Sequence, residues 1–267
     1  MTIPPPNLSL AGRRALVCGA SQGIGRATAE ALASLGARLT LVARSAEKLR
    51  TVAASLPVPE DGPHEVLVVD FDDSAAVRTA IADLIVRVGP HTIVINNSGG
   101  PAAGPIFTAA PEEFIAAMTR HVIANQIIAQ ETVPGMKEAG YGRIVNVIST
   151  SVYEPIANLG VSNATRGAVA SWAKTLSKEL GSFGITVNSV LPGFTDTERL
   201  GSLIEGRSSK EGRSEDQVAD TMRGLIPAGR FAAPREVGDV IAFLASPVAS
   251  YINGVCLPVD GGRLASI

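Results

Sequence analysis

Short apolar runs alternate along the chain with stretches whose apolar positions recur at helical spacing. The runs are not themselves alternating, so they read as strands buried on both faces; this is the pattern of a parallel sheet covered by helices on either side. Strands are expected at Arg14–Cys18 and at 39–42, 65–69, 92–95, 143–148, 185–191 and 255–259, about seven in all. Helices are expected at 24–35, 46–55, 74–88, 114–139, 163–180 and 234–244, with Gly36 closing the first and Ser74 capping the third. Pro134 is expected to bend or break the long 114–139 helix.

One segment departs from this rhythm. Residues 195–229 are rich in Gly, Ser and charge, and leave a strand end at Pro192-Gly193, where ligands sit in such sheets. They read as a lid-like insertion in a single domain of residues 1–267, or as a solvated insertion without a role.

Composition narrows the function. The 23 basic and 25 acidic side chains nearly cancel to −2, so no cationic surface is available for a nucleic-acid backbone. With 46% apolar and 18% charged residues, the chain is not disordered. Cys18 and Cys256 are too few for a disulfide framework or a four-cysteine zinc site, and both read as buried hydrophobes. His64, His91 and His121 have no zinc-ligand spacing, so no metal is expected. Residues 1–6 lack a signal peptide's basic and apolar regions, and no run is long enough to span a bilayer. A cytoplasmic protein with no membrane partner is expected.

After the first strand comes Gly19-Ala20-Ser21-Gln22-Gly23-Ile24-Gly25, and then a helix. Glycine at the strand exit permits a tight turn, glycine at 23 lets backbone approach a phosphate, and glycine at 25 lets helix and strand pack closely. The helix amides and the positive helix end then face the anion.

The Gly-x3-Gly-x-Gly spacing, together with Asn96-Asn97-Ser98-Gly99, Pro192-Gly193, Asn253-Gly254 and Asp260-Gly261-Gly262, resembles the short-chain dehydrogenase/reductase family over nearly the whole chain. The resemblance extends to 3-oxoacyl-(acyl-carrier-protein) reductase-like members. It implies a three-layer Rossmann α/β fold with a doubly wound parallel sheet, and an oxidoreductase using a nicotinamide dinucleotide. The cofactor positions it implies are Gly19, Ser21, Gln22, Gly23, Ile24, Gly25, Arg44, Asp70, Phe71, Asn97, Gly99, Arg166, Pro192, Gly193, Thr195 and Thr197. The second strand ends Val42-Ala43-Arg44 without the carboxylate that marks NAD, so NADP(H) is favoured over NAD(H), with Arg44 gripping the 2′-phosphate. Arg44 also reads as a solvated loop cation, and Asp70, the adenine position, as a strand-end cap.

The family's catalytic positions are altered. Ser149 matches the serine that polarises the substrate oxygen. The tyrosine position falls on Ser162, the lysine position on Arg166, and the helix asparagine position on His121. A phenol has a pKa of about 10 and is tunable by a nearby cation, whereas an alcohol is far weaker. Arg166 retains a positive field but does not shuttle protons. Tyr153 and His121 are the candidate replacement acids; otherwise Tyr153 is a pocket wall and His121 a helix histidine at a subunit contact.

Three readings follow. The chain is an NADP(H)-dependent reductase of a ketone or 3-oxoacyl-type substrate with impaired or non-standard proton donation. It is a non-catalytic dinucleotide-binding sensor or partner subunit on the same scaffold. Or another nucleotide occupies the cradle. The resemblance further implies homodimers or tetramers. The small residues Ala164, Gly167, Ala168 and Ser171 fit such an interface or tight packing within the monomer.

Overall fold

The computed structural model describes residues 7–266; the segment read for a signal peptide lies outside them. Seven strands form one parallel sheet: β1 (Arg14–Cys18), β2 (Arg38–Ala43), β3 (Glu65–Val68), β4 (Ile93–Asn96), β5 (Gly142–Val147), β6 (Ile185–Pro192) and β7 (Cys256–Val259). Their order is β3-β2-β1-β4-β5-β6-β7. The chain therefore starts at the sheet centre, builds outward to one edge, and crosses back to build the other half. The crevice between β1 and β4 is the switch point at which such sheets bind ligands.

Strand alternation divides the core. Ala15, Val17, Ile93, Ile95, Val145 and Val190 point to one face, which is covered by α1 (Gly23–Ser34), α2 (Ala46–Ser55) and α9 (Pro234–Ala245). Leu16, Cys18, Val94, Ile144 and Val187 point to the other, under α3 (Ser74–Val88), α5 (Ala124–Glu138) and α6 (Gly160–Leu180). This is the three-layer Rossmann arrangement, with the strands buried on both sides as their unbroken apolar runs require. Gly36, at φ +92°, follows the end of α1 as expected.

Three local expectations are corrected. The cap of α3 is Asp73 rather than Ser74: its carboxylate accepts from the Ala76 amide at 2.9 Å, and Ser74 is the first helical residue. Pro134 does not end its helix, which runs on to Glu138. It lies on an exposed face, so the Gln130 carbonyl it leaves without an amide can be hydrated. The irregularity lies earlier, in a π-turn at Thr119–Ile123 joining α4 (Pro111–Met118) to α5. Cys256 is only half-buried, because β7 is the sheet's edge strand.

The 195–229 excursion is largely helical: α7 (Glu198–Glu211) and α8 (Glu215–Gly224) pack together through Leu200, Val218 and Met222. Both start with side-chain caps, Thr197 on the Leu200 amide and Ser214 on the Gln217 amide. The apolar residues are so widely spaced among Ser, Gly and charged residues that composition hides the pair. No helix of the described residues is long and apolar enough to cross a membrane.

Candidate active site

The glycine turn is built against β4. Gly19 has φ +63°, and Asn97 lies so close that its amide nitrogen donates to the Cys18 carbonyl at 3.3 Å. Gly25 faces the Gly19 carbonyl at a separation that excludes any side chain. The helix that follows has Gln22 at its cap position and no side-chain cap, so its first amides remain available. A cavity of about 440 Å3 opens beside this terminus, walled by Gln22, Gly23, Arg26, Thr197 and Pro234 among others. Uncapped amides at a positive helix end suit the phosphates of a dinucleotide.

The Gln22 side chain is held on both sides, donating to Glu198 at 2.8 Å and accepting from Lys48 at 3.1 Å. The first turn of α7 is thereby tied to the cradle. Ser21 and Ile24 flank Gln22 and Gly23 and are half-buried, as is Thr197, whose methyl group covers Gly23. Thr195 is buried, its hydroxyl donating to the Gly193 carbonyl at 3.2 Å. Pro192 ends β6, and Gly193 packs closely on Asp260. At the ends of β2 and β3, Arg44 and Asp70 form a loose, exposed pair at 3.9 Å. Arg44 is 76% exposed, so this pair holds its guanidinium only weakly. Phe71, next to Asp70, is buried.

The altered positions gather at the other side of the crevice. Ser149 sits just beyond β5 and accepts from the Ser151 amide at 3.1 Å, which leaves its own hydroxyl proton free to donate outward. Ser162 and Arg166 lie one turn apart on α6. Ser162 is half-buried, and its hydroxyl makes no hydrogen bond among the described residues. Arg166 is buried and donates to the Val147 carbonyl at 3.0 Å, with no salt bridge among the described residues. Burial first, then the Arg199 charge, brings its pKa down to about 10.

His121 lies in the π-turn, buried, with Nδ1 paired to the Ser98 hydroxyl at 2.6 Å. Nε2 is buried without a hydrogen-bond partner among the described residues. Burial, then the Arg166 and Arg120 charges, push its pKa down to about 2, against a weak upward pull from the Gly99 backbone. A ring that is neutral at every working pH has no imidazolium proton to deliver. Tyr153 is half-exposed, and its phenol donates to the Cys256 carbonyl at 3.1 Å. Burial, then Cys256, raises its pKa. Both observations weigh against these residues as the missing acid. Cys18 is equally unreactive, burial pushing its thiol up to about 12.

Two participants escaped the sequence reading. Ser98 belongs to a motif whose neighbours drew attention, yet it is the partner of His121. Arg199 reaches from α7 to the Pro101 carbonyl at 2.7 Å, across 98 residues of sequence. No spacing rule connects such distant positions. No group of three or more His, Cys, Asp or Glu side chains able to hold a metal occurs among the described residues.

A family model described as Enoyl-(Acyl carrier protein) reductase matches residues 19–263. The chain belongs to the short-chain dehydrogenase/reductase family. It is 32% identical to the 3-oxoacyl-(acyl-carrier-protein) reductase FabG of Pseudomonas aeruginosa, covering 97% of this chain and 100% of the relative. It is also 32% identical to the gluconate 5-dehydrogenase of Gluconobacter oxydans, over 98% of this chain and 99% of that one. Among solved structures, the L-sorbose reductase of Gluconobacter frateurii, complexed with NADPH and L-sorbose, superposes with a TM-score of 0.91 at 29% identity, covering 98% of this chain and 100% of that one. These matches place the chain among the family's NAD(P)-dependent oxidoreductases, with a cradle for a nicotinamide dinucleotide.

Proposed function

We propose that this chain is an NADP(H)-dependent reductase of a small ketone or 3-oxoacyl-type substrate, in which a fixed positive charge stands in for the usual proton donor. The observation that carries this reading is Arg166: a buried guanidinium anchored on the end of β5, with no carboxylate paired to it among the described residues. The uncapped amides at Gly23, Ile24 and Gly25 would hold the pyrophosphate, Arg44 the 2′-phosphate, and Asp70 the adenine. When bound, the dinucleotide supplies the hydride. Ser149, whose hydroxyl proton is free, donates to the substrate carbonyl oxygen and orients it. Arg166 stabilises the negative charge that develops on that oxygen, as donors placed at a developing oxyanion do. The alcohol of Ser162 is too weak an acid to be the proton source; it holds a water, and solvent completes the protonation.

A second reading, a non-catalytic dinucleotide-binding protein, is favoured by the state of His121 and Tyr153, one neutral and one tied to Cys256. Fluorescence titration with NADPH, NADH and ATP, followed by a panel of carbonyl substrates, separates the two. The reductase reading expects NADPH to bind more tightly than NADH and at least one carbonyl to turn over. NADPH binding without turnover of any carbonyl favours the second reading, and preference for ATP removes both. Ala164 and Ser171 lie exposed on α6, and Gly167 faces open space, which supports assembly with further copies through this stripe.

A further inference from the structure

We infer that Arg166 and Arg199 together form a subsite for the carboxylate of the substrate, so that the preferred substrate is an oxo acid rather than a neutral ketone. The two side chains arrive from different elements, Arg166 from α6 and Arg199 from the first turn of α7. They converge on one place: their Nη2 atoms lie 3.5 and 3.9 Å from the point where a Cβ on Gly100 would stand. Gly100 puts no side chain between them.

Neither guanidinium makes a salt bridge among the described residues. Each is bonded only to a main-chain carbonyl, Val147 for Arg166 and Pro101 for Arg199. Arg166 is nine-tenths buried. A buried cation ordinarily has an anion beside it, because an unpaired charge is costly to take out of water. Here the charge that acts on Arg166 is a second cation, Arg199. Two like charges facing one gap, each with donors to spare, are relieved by a bound anion that takes hydrogen bonds from both.

The dinucleotide phosphates are not that anion on this geometry. Glu198 and Arg199 are successive residues of one helical turn, and Glu198 faces the cradle through Gln22. Arg199 points instead to the β4 exit at Pro101, beside the Ser98–His121 pair. The gap thus adjoins the altered catalytic positions, and an oxo acid bound there brings its carbonyl to the side of Ser149 and Arg166.

The inference takes its substrate from the reductase reading but is tested by binding, which needs no turnover. With the protein saturated in NADPH, calorimetric titration compares acetoacetate, its methyl ester and inorganic phosphate. Acetoacetate is expected to bind about tenfold or more tightly than the ester, and Arg199→Gln to bring the two within about twofold. Arg199→Lys, which keeps the charge but not the fork, is expected to fall between. Equal affinity for acid and ester in the unaltered protein overturns the inference whether or not any carbonyl is reduced. So does a loss of about tenfold in NADPH affinity on Arg199→Gln with the acid-to-ester ratio intact. Phosphate binding as tightly as acetoacetate also overturns it, since the pair would then be a general anion site. Selective acetoacetate binding without reduction upholds the subsite and removes only the reductase reading.

Discussion

Arg166 keeps its proton throughout the range in which enzymes work, since burial and Arg199 bring its pKa only to about 10. His121, held near 2, does not gain one there. No group at the altered positions therefore titrates between these values, and the rate of carbonyl reduction is expected to be flat from about pH 5.5 to 9. It falls only as the pH approaches 10, where Arg166 begins to lose the charge that steadies the developing oxyanion. Initial rates at saturating NADPH and substrate check this; a bell centred near neutrality would require an acid that the geometry does not supply. Ser162 allows a complementary experiment. Placing a phenol there by Ser162→Tyr, one turn from the Arg166 cation, is expected to raise turnover by about a hundredfold, the low end of what general acids contribute. The same variant should begin its alkaline fall at a lower pH than the unaltered protein, because the Arg166 cation favours ionisation of the phenol. An unchanged rate with an unchanged profile would mean that proton delivery does not limit the reaction.

The junction from β1 to α1 shows why a strand, a turn and a helix must be read as one element. Asn97, the residue after β4, and the Gly19 carbonyl crowd the space beside Gly25, whereas Gly99 has nothing within 4 Å of where a Cβ would stand. Gly25→Ala is therefore expected to force the helix off the strand and weaken NADPH binding by about tenfold or more, with a stability loss of about 1–3 kcal/mol from overpacking. Gly99→Ala should stay close to the unaltered protein in thermal melts. If both variants melt alike and bind NADPH alike, the close approach does not set the cradle. This part of the molecule was legible in the sequence because its constraints are local: glycine spacing, unbroken apolar strands, and helices that start where the strands stop. What escaped was either non-local or locally disguised. The link from Arg199 to Pro101 spans 98 residues, and the helices α7 and α8 hide few apolar contacts among serines and charges. The π-turn that carries His121 leaves the helical period almost intact, so a bend is expected at Pro134, from proline's missing amide, instead.

Two buried histidines at opposite ends of the central strand β4 tie the stability of the whole domain to pH. His91 lies just before β4, with Nε2 paired to Thr40 at 2.8 Å and Nδ1 unpartnered among the described residues. His121 lies beyond the other end of the same strand. Burial leads both shifts, and the neighbouring arginines, Arg14 for His91 and Arg166 for His121, add to it, giving pKa values of about 4 and about 2. An unfolded chain protonates each imidazole near its ordinary value of about 6.5. Below that value the unfolded state binds more protons than the folded one, so stability rises with pH and is lost as pH falls. The loss begins near pH 6.5 and, for each histidine, continues down to its folded value. By pH 5 it amounts to about 2 kcal/mol per histidine as a ceiling, which for a domain of this size lowers the melting temperature by about 5–15 °C. The carboxylates held low by arginines, such as Glu65 beside Arg87, lose their contribution only below their ordinary range near 4.5 and stay outside this window. Thermal melts from pH 7 to 5 should show the fall, and the double variant His91→Gln, His121→Asn should halve it or better while still offering amides to Thr40 and Ser98. An equal fall in the double variant would assign the acid sensitivity to other groups.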